Sequence, residues 1–592
     1  MSKQQVYNRK IYKKLGIMKK FILTLVVIPQ FIFAQINFQW AGSFAGNSGA
    51  NSTNDLVINN NGHVFCTGSF IAKTDFDPSQ SIADTFFLNG STSIYNSNIF
   101  VTRLNKIGKH VWTKEIKGSA QNVGKSIAID KVGNLYITGY YSGATDFDPS
   151  SGVSNLINTG CFVLKLDSTG SFVWVKEFKG AFSGSVSGNS IEVDKSGNII
   201  IGGHFTNTVD FDPGVAVVNL VNTDGFGFND GFVAKLDDNG NFLWVKHIAS
   251  SKEDAVQSNI CDNANNIYSF GIFSGTVDFN TGVGTETIST NGQKDIFIIK
   301  HDSAGNYLWV KTIGGVAEET SGAITLDINQ NIYIAGGYSN KVDFNPSMAS
   351  TDTLYLTATD QKDCFVLKLN NTGTFMFAKS FGNGIGVAEA KDIAVDKFEN
   401  IYTYGQFANN CDFDPSIGVT SLVADGGNDM FVCKLSNLGN YSSAFRVGGS
   451  NYADNAKAMK LDTLGNIYVC GSFFQVVDFN PTIATYTLNS LGYDDGFVAK
   501  YGQTGFVGLN ELRADADLVS FYPNPTSGIV HINLKESISS NIIISDIVGQ
   551  EVFTKTISSK NETIDLSHLG RGIYFISIIA ENKIYSSKFI KE

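Results

Sequence analysis

The chain repeats itself, and the repeat limits what it can fold into. The tetrapeptide DFDP starts at Asp75, Asp146, Asp210 and Asp412, and a softer DFN starts at Asp278, Asp343 and Asp478. Neighbouring copies lie between 64 residues (146 to 210) and 71 residues (75 to 146) apart. A second marker keeps step: Trp40, Trp112, Trp174, Trp244 and Trp309, then Phe377 and Phe445. All five tryptophans of the chain thus share one slot of the repeat. A 592-residue chain of such units is too long for one ordinary core and must stack copies so that each buries its apolar face on the next.

One copy reads as four strands. SIAID (126–130) and GNLYITGYY (133–141) flank a tight turn, and CFVLKLD (161–167) and TGSFVWVKEF (169–178) flank another. Apolar alternation bounded by Gly, Asn and Asp is the strand and hairpin signal. The turns recur as DKVGN, DKSGN and DTLGN in one place and LDSTG and LDDNG in the other. Asp opens such turns with its side-chain acceptor, and Gly or Asn takes the positive-φ position. Four antiparallel strands in seven copies predict an all-β chain: a seven-bladed β-propeller over 35–505. Its ends complement each other. INFQWAG (36–42) is a lone Trp-bearing strand, and DGFVAKY (495–501) lacks its fourth partner, so the first should complete the last blade and remove a free sheet edge.

The set "A.D..GN.Y.TG", then DFDP, then "FV.KLD..G...W.K" resembles the SBBP-type β-propeller repeat of secreted bacterial proteins. The resemblance covers roughly 36–505 and implies a fold more than an activity.

The two ends read as addresses. Met18-Lys19-Lys20 precedes the apolar run 21–34, which is too short to span a bilayer and is followed by Gln35. Residues 1–34 therefore read as a signal peptide cleaved between Ala34 and Gln35, with Met18 an alternative start. No later segment reads as transmembrane. Residues 506–517 lose the repeat pattern and read as a linker. From 518 to 592 short alternating strands suggest a small β-sandwich. Tyr522-Pro523-Asn524-Pro525, Asp546 with Gly549, Leu566-Ser567, Gly572-Ile573-Tyr574 and Lys588-Phe589 resemble the type A C-terminal sorting domain of type IX secretion substrates. That resemblance implies the type IX secretion machinery as a partner and a secreted or surface-attached destination, the tail being removed after export.

Composition excludes little else. A net charge of −11 with nothing resembling a basic groove argues against nucleic acid. The seven cysteines form no CxxC and read as small buried hydrophobes, with one or two disulfides as the alternative. The seven histidines, from His63 to His568, show no metal-ligand spacing, and no nucleophile or phosphate-loop signature stands out. No catalytic residue is assigned. Tyr141, Tyr338 and Tyr452 are the aromatic residues considered for sugar stacking on a loop or rim.

The DF motif admits three readings. A catalytic carboxylate pair needs two unlike environments, which seven near-identical copies do not supply. In the structural reading Asp75, Asp146, Asp210, Asp278, Asp343, Asp412 and Asp478 cap the turn, Phe packs inward and Pro ends the strand. Asp77, Asp148, Asp212 and Asp414 are replaced by Asn in the three remaining copies, and either side chain carries a capping oxygen. The third reading is calcium, kept open by Asp254, Glu319 and Asp454, which lie eight residues before the turn Asp in the loop leading into a unit. Solvated loop charges are the plain alternative for these three. The long loops share one face, which is the expected binding face. The function that follows is a secreted or cell-surface binding or adhesion module for a glycan, surface polymer or protein. The alternatives are a polysaccharide-acting enzyme on a propeller scaffold and a structural surface-layer protein.

Overall fold

The computed structural model describes residues 35–504 and 519–592, apart from 47–48, 80–83, 92, 94, 181–183, 224–226, 347–351, 360, 451–452, 535–539, 546–550, 558, 560 and 581–582. The signal segment through Ala34 and the 506–517 linker lie outside the described residues. Among the described residues every regular element is a strand, and no helix is long and apolar enough to cross a membrane. The described residues divide into two compact units, Ile36–Gln503 and a smaller one over 519–592.

In the larger unit one sheet order recurs. The first sheet pairs Ser52–Ile58, Val64–Phe70, Asn98–Leu104 and His110–Gly118, antiparallel and in that order. The same order starts again from the inner strands Val123–Ile129, Val186–Val193, Ala255–Cys261, Thr320–Leu326, Val387–Val395 and Asn455–Leu461. The last of these sheets takes Gln35–Gly46 as its fourth strand, beside Asp495–Thr504. Below, the sheets are numbered first to seventh by their inner strands.

Six of the seven DF motifs strap their sheet to the preceding one, while in the fourth sheet Thr276–Asp278 pairs with Thr287–Ser289 in a two-stranded sheet of its own. Lys73–Asp75 pairs with Phe87–Asn89, and its other edge pairs with the outer strand of the preceding sheet, Ala45 opposite Asp75 and Gly46 opposite Thr74. The same cross-sheet pairing joins Asp146 to Lys117, Asp210 to Lys179, Asp343 to Gly314, Asp412 to Asn383 and Asp478 to Gly448. The first motif Asp accepts two backbone N–H groups in every copy, at 2.7–3.1 Å. The second Asp or Asn accepts another two residues on, as Asp212 does from Gly214 (2.7 Å) and Asn280 from Gly282 (3.1 Å).

The motif Phe is fully buried in all seven copies and meets the third-strand Phe of its own sheet at ring-centroid distances of 4.7–5.2 Å. Burying each ring contributes on the order of 2–3 kcal/mol. The Trp slot closes the outer boundary between sheets. A Cβ on Gly108 would stand 2.6 Å from the Trp40 ring, and one on Gly305 2.8 Å from Trp244. These turn glycines also have positive φ (81° and 82°), so both shape and backbone demand Gly there.

The smaller unit has two sheets around Val530, Ile532, Ile542, Ile544, Ile564, Leu566 and Ile576. One is Val519–Tyr522, Ile529–Leu534 and Asn561–Asp565; the other is Glu551–Ile557, Ser540–Ser545, Gly572–Ala580 and Lys583–Lys591. Asn524 Oδ1 accepts the Ile590 N–H at 3.0 Å, tying the YPNP segment to the last strand. Asp546 and Gly549 lie outside the described residues.

Candidate functional site

The inner strands share a fault in their pairing. Against the second strand the ladder skips Asn54, Lys125, Asn189, Gln257, Lys391 and Lys457, and in the fifth sheet Gly322 with Ala323. Each skip is a β-bulge, which adds a residue to one strand and re-aims its side chain. The skipped residues all line one cavity of about 450 Å³, to which every inner strand contributes. They sit near the start of each inner strand, the end reached from the long loops.

The next residue along locks the strands to one another. Asp55 accepts the Ile127 N–H (3.0 Å), Ser126 that of Ile191 (3.3 Å), Ser190 that of Asn259 (3.0 Å), and Asp392 that of Met459 (2.8 Å). Asp55 and Asp392 line the cavity, yet Oδ2 of each is committed to a neighbouring strand and Oδ1 to the next N–H of its own strand.

The bulge ring is electrically one-sided. Lys391, Lys457, Asn54 and Lys125 follow one another on the sixth, seventh, first and second sheets. Burial pushes the Lys125 amine down to about 8, with the Lys457 charge adding to it. Lys457 is lowered too, by burial and then by Lys391. Lys125 Nζ donates to Asn189 Oδ1 (2.9 Å), and Lys391 bridges to Glu389 (2.8 Å). The other arc holds Asn189, Gln257 and Gly322, without charge. Asn259, 6% exposed and lining the same cavity, has neither amide atom partnered. Deeper in, Lys460 is held by Asp392 (3.3 Å), and burial pushes Glu192 up to about 7. Three lysines on one arc of a polar cavity, Lys457 repelling Lys125 and Lys391 repelling Lys457, suit an anionic group better than a neutral one.

The residues singled out in the sequence lie elsewhere. The strap aspartates sit at the boundaries between sheets and are spent on backbone donors. Asp254, Glu319 and Asp454 are 0%, 0% and 1% exposed, so the expectation of solvated loop charges is corrected: the loops fold over them. Burial pushes them up to about 7, 8 and 8, and acids of the preceding sheet add to this, Asp230, Asp295 and Asp429 respectively. Among the described residues no group of three or more His, Cys, Asp or Glu is placed to hold a metal. Tyr141 and Tyr338 are also corrected: both are fully buried against Phe147 and Phe344, with no face left for a sugar. Tyr452 lies outside the described residues. The seven cysteines are free, and all but Cys261 are buried.

Sequence reasoning passed over the bulge lysines. Their signal was a charged or amide residue five positions before the turn Asp, in copy after copy of an otherwise apolar inner strand, visible only once the copies are aligned on that turn.

Comparison with known proteins agrees with this architecture. Residues 520–592 match the Secretion system C-terminal sorting domain family, and residues 111–148 match the SBBP beta-propeller repeat family. An uncharacterized WD repeat-containing protein, L264 of Acanthamoeba polyphaga mimivirus, is 26% identical over 468 residues, 67% of this chain and 34% of that protein. The chain thus spans about a third of that curated relative. Similar solved structures include Sqt1 from Chaetomium thermophilum (TM-score 0.33, 9% identity, 80% of this chain and 100% of that one). Another is PorZ, a bacterial surface component of the type IX secretion system of Porphyromonas gingivalis (TM-score 0.24, 11% identity, 93% and 100%). Both overlays are too loose to carry an argument. The tail match marks a chain addressed to the type IX route, to the surface or outside, and the repeat match marks its body as β-propeller.

Proposed function

We propose that this protein is an exported binding module: a seven-bladed β-propeller, closed by its N-terminal strand, whose central cavity holds the anionic group of an acidic surface polymer such as a uronic-acid glycan. The C-terminal sandwich is its address. One observation carries the reading: the bulge position of the inner strands points into one cavity, and there the repeat breaks toward three lysines on one arc. The net charge of −11 repels anions at long range, so attraction must come from this arc at short range. An anion stabilises the charged form of Lys125, whose pKa is about 8; affinity should therefore fall as pH rises through that value.

A panel of acidic and neutral polysaccharides, probed with the purified protein and scored for retention and for new reducing ends, tests this. Retention on acidic members without cleavage is the expected result. Retention on neutral members alone contradicts it. The second reading, hydrolysis or elimination, rests on Glu192, a carboxyl held near 7 in the same cavity. New reducing ends that vanish in Glu192→Gln would establish that reading instead.

A further inference from the structure

We propose a divalent-cation site, calcium by its chemistry, between Asp295 and Glu319 at the boundary of the fourth and fifth sheets. Asp295 opens the third strand of the fourth sheet, and Glu319 immediately precedes the inner strand of the fifth. They are 2% and 0% exposed. Each spends one oxygen on the backbone: Asp295 Oδ2 accepts the Asn291 N–H (2.9 Å), and Glu319 Oε2 that of Gly315 (3.1 Å). The other two oxygens, Asp295 Oδ1 and Glu319 Oε1, are buried without a partner. The carbonyls of Gly315 and Val316 pack against Gly292 in the same loop region, offering further oxygen donors.

The repeat supplies its own controls. Two acids face each other in the same slots at two other boundaries, and there a base stands beside them. Asp429 Oδ1 and Asp454 Oδ2 are also buried without a partner, so the missing base is what sets the Asp295–Glu319 pair apart. Asp230, opposite Asp254, is bonded by His247 (2.7 Å), and Asp429, opposite Asp454, by Arg446 (2.9 Å). His247 pairs with Phe232 and Arg446 with Phe431 in the outer ladder; the equivalent residue, paired with Phe297, is Thr312. The fourth sheet therefore lacks its base. At the boundary of the seventh and first sheets the problem does not arise, because Asn51 stands where Glu319 does and donates to Asp495 (3.3 Å). Nearby Lys294 is engaged by Glu253 and Glu318, and Lys362 acts on Glu319 only through its field. Two buried carboxylates with free oxygens and no base of their own need a counter-charge. Hard oxygen donors, some of them backbone, are those calcium takes.

The test uses the full chain, stripped with EDTA and titrated with calcium by calorimetry, with melting followed in parallel. One equivalent should bind and raise the Tm by several degrees. Glu319→Gln should weaken binding roughly tenfold or more. Thr312→Arg should install the base that Arg446 provides two sheets away, raising the calcium-free Tm and abolishing the response to calcium. Absence of binding by the wild type overturns the proposal and leaves a shared proton as the counter-charge. Binding that survives both substitutions also overturns it, because the ion then sits elsewhere. Neither readout depends on the polymer or on the lysine arc.

Discussion

The strap and the bulge ring are built by the same repeat, seven times each, and they could hardly be more different. At the strap every copy keeps the Asp, the buried Phe and the same two N–H bonds, to within a few tenths of an ångström. At the bulge the copies carry Asn, Lys, Asn, Gln, Gly, Lys and Lys. Each DF motif faces the same local task, capping its turn and burying its Phe, and six of the seven also clasp the preceding sheet, so one solution serves all. A ligand without sevenfold symmetry cannot be met by seven equal residues, so a recognition site must break the repeat. In this chain, sameness marks what holds the fold and difference marks what faces the cavity.

Predictions can strain that contrast from its strongest point down. Phe211→Ala opens a cavity beneath a strap and should cost about 3–5 kcal/mol, read by urea unfolding. Asp210→Ala leaves two backbone donors without their acceptor and should cost about 1–3 kcal/mol by the same assay. If either were neutral, the strap would not be what secures one sheet to the next.

The pH dependence is next in size. Glu319 and Asp454 are pushed up to about 8, and Asp254 and Glu192 to about 7, by burial. Their folded-state values exceed the unfolded ones, so the stability they confer is present at low pH and lost as pH rises through those values. His204 and His301 are pushed down to about 4 by burial and oppose this only below their ordinary 6.5. Between pH 6.5 and 8, without divalent cations, the Tm should fall by a few degrees. A flat or rising melting curve in EDTA would contradict it. Smallest is Asp212→Asn, the exchange that the DFN copies already carry at the equivalent position. It should change stability by less than about 0.5 kcal/mol.

Much of this was legible in sequence, because hairpin turns and strand alternation are local. The turn Asp130 takes the Val132 and Asn134 N–H groups, as an Asp-opened turn requires. The lone N-terminal strand beside Asp495–Thr504 followed from counting strands. What stayed hidden depends on long-range pairing. A bulge leaves no mark in apolar alternation, so Lys125, Lys391 and Lys457 read as ordinary strand charges. Burial of Asp254, Glu319 and Asp454 depends on how loops close over neighbouring sheets. Tyr141 and Tyr338 sit at strand ends, where exposure and burial have the same local signature.

The most direct test of the cavity as the binding site compares the wild type with a Lys125→Gln, Lys391→Gln, Lys457→Gln variant on an acidic polysaccharide that retains the wild type, across a salt series. The account predicts salt-sensitive retention for the wild type. It predicts near-complete loss in the variant, about 1.5–3 kcal/mol per charged contact removed, with the Tm unchanged or raised. Equal retention of the two proteins would place recognition outside the cavity and contradict the account.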